Sequence, residues 1–98
     1  MSYVVVNKPS VNDDILDIVA YYKLIHINLA IAFLDCLEEI QKYIFDFPLS
    51  FQIKYKNVRT ILLAQYPYQI HYIINDEKKQ IVIIAIIHAY RNPKEFSK

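Results

Sequence analysis

An α+β fold in the order β-α-α-β-β-β is what this chain predicts, and three observations predict it. A β-branched run, "YVVV" at residues 3–6, opens the chain. Two apolar sets at helical spacing follow, and the second half then alternates apolar and polar residues between turn signals. The 98 residues make one domain, 1–98, able to hold a single core.

Each element has its own signal. Asn7-Lys8-Pro9 ends the first strand. Ser10 with Asp13 three residues on resembles a capping box, Asp standing where Glu or Gln is usual, and Asp14 suits a helix N-terminus. Ile15, Ile18, Val19, Tyr22 and Ile25 then recur at helical spacing. Ala30, Phe33, Leu34, Leu37, Ile40 and Ile44 form a second helical set, with Asn28 as the expected N-cap and Phe47-Pro48 as the stop. So short a joint makes the pair an antiparallel hairpin.

Val58 to Tyr66 is rich in Val, Ile, Leu and Thr and reads as a strand. Pro67 turns the chain, and Tyr68, Ile70, Tyr72 and Ile74 alternate with Gln69, His71 and Asn75 as in a half-buried strand. "NDEKKQ", residues 75–80, is a charged hairpin loop before the final strand, Ile81 to Ile87. The expected architecture is an antiparallel sheet with the helical hairpin packed on one face. The last strand is apolar on both sides, so its other face is expected to meet the C-terminal tail, a second copy or a partner.

Composition narrows the classes. Hydrophobic residues make up 55% of the chain, which excludes disorder and implies apolar surface kept for a homo-oligomer or another protein. The longest apolar run, residues 81–87, is far short of the roughly 20 residues of a membrane span. The segment "MSYVVVNKPS" lacks the basic region, long apolar stretch and cleavage site of a secretory signal, and the single cysteine, Cys36, fits a reducing compartment. A cytoplasmic location is therefore expected. The net charge of +1 is unevenly spread. Residues 11–46 hold seven carboxylates against Lys23 and Lys42, a balance of −5, and the remainder carries +6.

The chain has no glycine, which excludes Gly-rich phosphate loops and nucleophile elbows. His26, His71 and His88 are too far apart in sequence to suggest zinc, so no metal and no cofactor is expected. What remains is basic and aromatic. "KYKNVR" supplies Lys54, Lys56 and Arg59, the two lysines sharing a side if this piece is extended, and the end of the last strand supplies His88, Tyr90 and Arg91. Such a set suits metal-free phosphodiester cleavage. Histidine can move the proton, Lys and Arg can hold the phosphorane charge, and tyrosine can stack on a base. The same residues also fit a simpler reading, in which His88 and Tyr90 end a strand and the cations are solvated.

The ordered set "DILDIVAYY", "AIAFLDCLEEI", "FP", "YKNVR", "YPYQIHYII" and "IVIIAIIHAYRNP" resembles the RelE/ParE superfamily of bacterial toxins over nearly the whole chain. The resemblance implies the toxin half of a type II toxin–antitoxin pair, with a cognate antitoxin as partner and the sheet face away from the helices as the working surface. RelE-like members cleave mRNA in the ribosome, whereas ParE-like members bind and poison DNA gyrase. The late His and Tyr favour the first, so the leading expectation is a ribosome-dependent endoribonuclease, an mRNA interferase. In that expectation His88 transfers the proton, Arg59 and Arg91 hold phosphate, Tyr90 assists, and Lys54 and Lys56 position RNA. Three features weigh against it: Gln69 stands where ribosome-dependent relatives often carry arginine, Phe96 where they carry a C-terminal tyrosine, and the charge is low. The alternatives are a gyrase poison and an inactive binding module.

Overall fold

The computed structural model describes residues 3–89. The elements are β1 (Val4–Asn7), α1 (Pro9–Ile25), α2 (Ile27–Asp46), β2 (Ile53–Tyr55), β3 (Val58–Leu62), β4 (Tyr68–Asn75) and β5 (Gln80–His88). The strands form one sheet in the order β1-β5-β4-β3-β2. The α+β class and the helical hairpin are as the sequence predicts. Two details of the sheet are new. A short strand, β2, precedes the predicted meander, and β1 pairs parallel to β5, from Val4 opposite Gln80 to Asn7 opposite Ile83, so the sheet is mixed. A strand opening the chain can reach a central strand from either direction, and periodicity does not say which.

Local chemistry explains the helix ends. Pro9 takes the first helical position, where its fixed φ is already helical and its missing N–H is no loss. Lys8 therefore becomes the N-cap residue, and Ser10 lies inside the first turn instead of capping it. The Lys8 carbonyl accepts from Val11 N at 2.9 Å. A single extended residue, His26, joins the helices (φ −166°, ψ 135°). Its backbone N–H closes α1 on the Tyr22 carbonyl at 2.9 Å, and its Nδ1 accepts from Asn28 N at 3.0 Å. The cap of α2 is thus His26, two residues before the expected Asn28.

The core lies between the hairpin and one face of the sheet. Val11 and Ile18 of α1 and Phe33, Leu37 and Ile44 of α2 pack on Ile70 and Tyr72 of β4 and on Ile81, Ile83 and Ile86 of β5. Phe33 is fully buried, with the rings of Tyr22, Tyr66 and Tyr68 at 5.4–6.1 Å. Along β4 the helix-facing residues are Tyr68, Ile70, Tyr72 and Ile74, so Gln69, His71 and Ile73 face the other way.

β5 does not alternate uniformly. It pairs Ile81 with Ile74 and Ile83 with Tyr72, then Ala85 with His71 and Ile86 with Ile70. One residue, Ile84, is extra, and this bulge reverses the facing of everything after it. Ile86 and His88 consequently join Ile81 and Ile83 on the helix face.

Without glycine, two lysines take up left-handed backbone: Lys56 (φ 49°) and Lys79 (φ 53°). Lys56 opens the two-residue turn between Tyr55 and Val58, a place where glycine is usual. The extended stretch ends at Tyr55, so Lys54 and Lys56 do not continue one strand face. A Cβ in this region costs roughly 1–2 kcal/mol, partly offset by the entropy glycine loses on folding. Lys56→Gly is expected to stabilise the domain by about 0.5–1 kcal/mol, read as a melting temperature several degrees higher.

Candidate functional site

The cations of "KYKNVR" sit together at the β2–β3 end of the sheet. Lys54 and Lys56 are exposed, and Arg59 is half-buried. Ile53 pairs with Arg59, and Arg59 pairs with Tyr72, which puts the guanidinium on the helix side of the sheet. There Arg59 Nη1 donates to the Phe51 carbonyl at 2.7 Å and to the Leu49 carbonyl at 3.4 Å. Arg59 thus holds the loop after α2 against the sheet.

Tyr72 anchors the same loop from below. It is fully buried, and its hydroxyl donates to the Pro48 carbonyl at 2.6 Å. Burial pushes the phenol up to about 12, and the nearby Arg59 charge draws it partly back. Phe51 stands edge-on to its ring at 6.3 Å.

His88 lies elsewhere. It pairs with Tyr68 at the opposite end of β4, with the two rings edge-to-face at 5.3 Å. Tyr68 and Tyr72 are four residues apart, about 13 Å along the strand, and β3 and β5 flank β4 at a combined spacing of about 10 Å. The backbones of His88 and Arg59 are therefore roughly 16 Å apart. The fold gathers Lys54, Lys56 and Arg59 and sets His88 apart from them. Tyr90 and Arg91 lie outside the described residues, as does Phe96.

His88 instead forms one wall of a cleft of about 650 Å³ between α1 and the ends of β4 and β5. Asp14, Asp17 and Tyr21 form the opposite wall. The Asp14 carboxyl is raised above its ordinary value, first by burial and then by the charges of Asp17 and Asp13.

The sheet face away from the helices carries a polar group that sequence reasoning did not single out. His71 is 1% exposed, the one buried polar or charged side chain among the described residues. Its Nδ1 and the Tyr55 hydroxyl are 3.1 Å apart, and its Nε2 and Gln69 Oε1 are 3.3 Å apart. With the proton on Nε2, Tyr55 donates to the ring and the ring donates to Gln69, so the neutral imidazole suits both neighbours. The alternation in "YQIHYII" already put Gln69 and His71 on one face. What no sequence signal gave was Tyr55 arriving from the unpredicted β2. Among the described residues, no group of three or more His, Cys, Asp or Glu side chains could hold a metal ion, and no helix is long and apolar enough to cross a membrane.

Burial lowers the proton affinity of His71. The folded state then resists protonation where the unfolded chain, with an ordinary value near about 6.5, accepts it. Stability contributed by His71 is full above that pH, falls as pH drops below it, and levels off beneath the folded value. Denaturant melts of the wild type and His71→Gln between pH 7.5 and 5 should show a steeper loss in the wild type. Tyr55→Phe should cost about 1 kcal/mol at neutral pH by taking a hydrogen-bond partner from the buried ring.

Comparison with known proteins places this arrangement. No curated protein sequence matches the chain. A solved chain of the chromosomal ParDE toxin–antitoxin system from P. aeruginosa is similar in fold, with a TM-score of 0.76 at 19% identity, covering 89% of this chain and 96% of that one. A family model for the ParE toxin of the type II toxin–antitoxin system parDE matches residues 5–93. With nearly its whole length matched, the chain belongs to the ParE toxin family of type II toxin–antitoxin systems.

Proposed function

We propose that this toxin arrests growth in the cytoplasm by binding and poisoning DNA gyrase, and that a cognate antitoxin neutralises it. The observation that carries this reading is the separation of His88 from Arg59, Lys54 and Lys56. Metal-free cleavage of RNA needs a proton-transfer group and fixed cations within hydrogen-bond reach of one phosphate. A roughly 16 Å gap between backbones sets the imidazole and the cations of the β2–β3 end around different places. Arg59 is also engaged with the Phe51 and Leu49 carbonyls. At position 69, where an mRNA-cleaving relative often carries arginine, this chain has a glutamine set against the buried His71 ring.

A toxin that works by grip needs surface more than a reactive cluster. Exposed apolar side chains are plentiful here, among them Leu24, Leu49 and Leu16. In this reading Lys54 and Lys56 form a basic end of the gyrase contact, next to Leu49 and Ile53, and His88 is part of a cleft wall with no chemistry to perform.

Two assays decide between grip and cleavage. Purified toxin added to gyrase, ATP and supercoiled plasmid should trap protein-linked DNA breaks. A reporter mRNA sampled in the first minutes after induction in bacteria should remain intact by primer extension. His88→Gln should leave arrest unchanged, and Lys54→Glu with Lys56→Glu should weaken it about tenfold or more. New codon-phased 5′ ends, lost in His88→Gln, would return the assignment to ribosome-dependent mRNA cleavage.

A further inference from the structure

Two hairpin turns at one end of the sheet bring four lysines together. The β2–β3 turn, residues 56–57, and the β4–β5 turn, residues 76–79, project from the same end, because β3 starts beside the place where β4 finishes. Asn57 of the first turn, Asp76 of the second and Tyr3 ahead of β1 line one hollow of about 300 Å³. The turns lie two strand spacings apart, about 10 Å. Lys54, Lys56 and Lys78 are exposed, and Lys79 is half-buried with its Nζ 5.6 Å from the centre of the Tyr3 ring. Two carboxylates, Asp76 and Glu77, share this end, and Asp76 accepts the Tyr3 hydroxyl. The backbone supplies a second, independent observation. Lys56 at φ 49° and Lys79 at φ 53° hold the left-handed region, one in each turn. Glycine or asparagine suits such a position better, and strained backbone gathers where a side chain has a task.

We propose that this end of the sheet binds the sugar–phosphate backbone of duplex DNA, with Lys54 and Lys56 on one group of phosphates and Lys78 and Lys79 on another further along the strand. Successive phosphates of one strand advance about 3.4 Å along the helix axis, so turns about 10 Å apart reach positions about three nucleotides apart. Ammonium groups on flexible stems hold phosphate without regard to the base attached. Tyr3 and Tyr55 are both half-buried, so neither offers an open ring on which an unpaired base could stack, and a duplex suits this end better than a single strand. The inference rests on the gyrase reading in one respect: it takes the partner of these lysines to be the DNA that gyrase holds instead of the enzyme's own surface.

The first test needs no gyrase. Fluorescence anisotropy of the purified full chain with a short fluorescein-labelled duplex should show saturable binding at low salt, alike for unrelated sequences. The logarithm of the affinity should fall with that of the salt concentration at a slope of about −3, as for three or four phosphates. Lys54→Gln, Lys56→Gln and Lys78→Gln should each flatten that slope by about one, and the triple variant should bind at least about tenfold more weakly. Lys23→Gln, on α1, should change nothing. Lys56→Gly should weaken DNA binding while raising the melting temperature, which a damaged fold cannot do. No binding at low salt, a slope that survives the triple variant, or an equal loss in Lys23→Gln would overturn the inference. Gyrase with plasmid then separates the two readings. Trapped breaks that the triple variant leaves undiminished would overturn this inference and leave gyrase as the target. Duplex binding through the lysines without trapped breaks would support the site and remove gyrase. Retention on DNA-free gyrase that only the triple variant loses would assign the lysines to an acidic protein surface and overturn the proposal.

Discussion

The phenol of Tyr72 is the point on which the rest of the structure leans. It occupies the centre of β4, fully buried beneath the helices, and its hydroxyl reaches the Pro48 carbonyl where the chain leaves α2. A buried hydroxyl without a partner is costly, so this bond fixes where the α2–β2 loop must cross the sheet. Arg59, its neighbour across the β3–β4 pair, grips the same loop through Phe51 and Leu49. With the loop held there, β2 lies beside β3 and Tyr55 is within reach of His71. The polar group on one face of the sheet thus depends on a hydrogen bond made on the other.

The elements that the sequence made legible are those with long, regular apolar patterns. Both helices and β4 follow from spacing, because burial of one face dictates the period, and β5 follows from an unbroken apolar run after a charged turn. β2 was missed because three residues after a loop carry too little alternation to register, and its pairing is itself irregular between Ile53 and Tyr55. The helix starts were misplaced for a related reason. Ser10 and Asn28 are good caps by type, yet Pro9 and the extended His26 settle the matter through backbone geometry. At the candidate site, the residue types were readable and their meeting was not. His88 lies on the helix face because of one extra residue in β5, and a bulge of that kind leaves no mark in an apolar run where every side chain is Ile, Val or Ala.

The molecule that results is asymmetric in charge as well as in shape. Carboxylates accumulate on the hairpin, and the cations described at the β2–β3 turn occupy the far end of the sheet. A chain close to neutral overall therefore offers two surfaces of opposite sign. Membership of the ParE family gives a role to such a design, since a toxin must meet both what it poisons and what restrains it. The absence of glycine suits it too. Its turns are made by residues with side chains, which limits the unfolded ensemble even where Lys56 and Lys79 adopt a strained backbone.

The bulge at Ile84 has a consequence for how such a sequence can change over time. Replacing Ile84 by another residue leaves the count along β5 intact, so every later side chain keeps its side. Deleting it would remove the bulge itself: Ala85 would follow Ile83 directly, still opposite His71, with Ile86 still in the core and His88 still on the helix side. Variation at this position is therefore open in kind and in number: the codon can be substituted, or lost altogether, and the end of the strand keeps its facing.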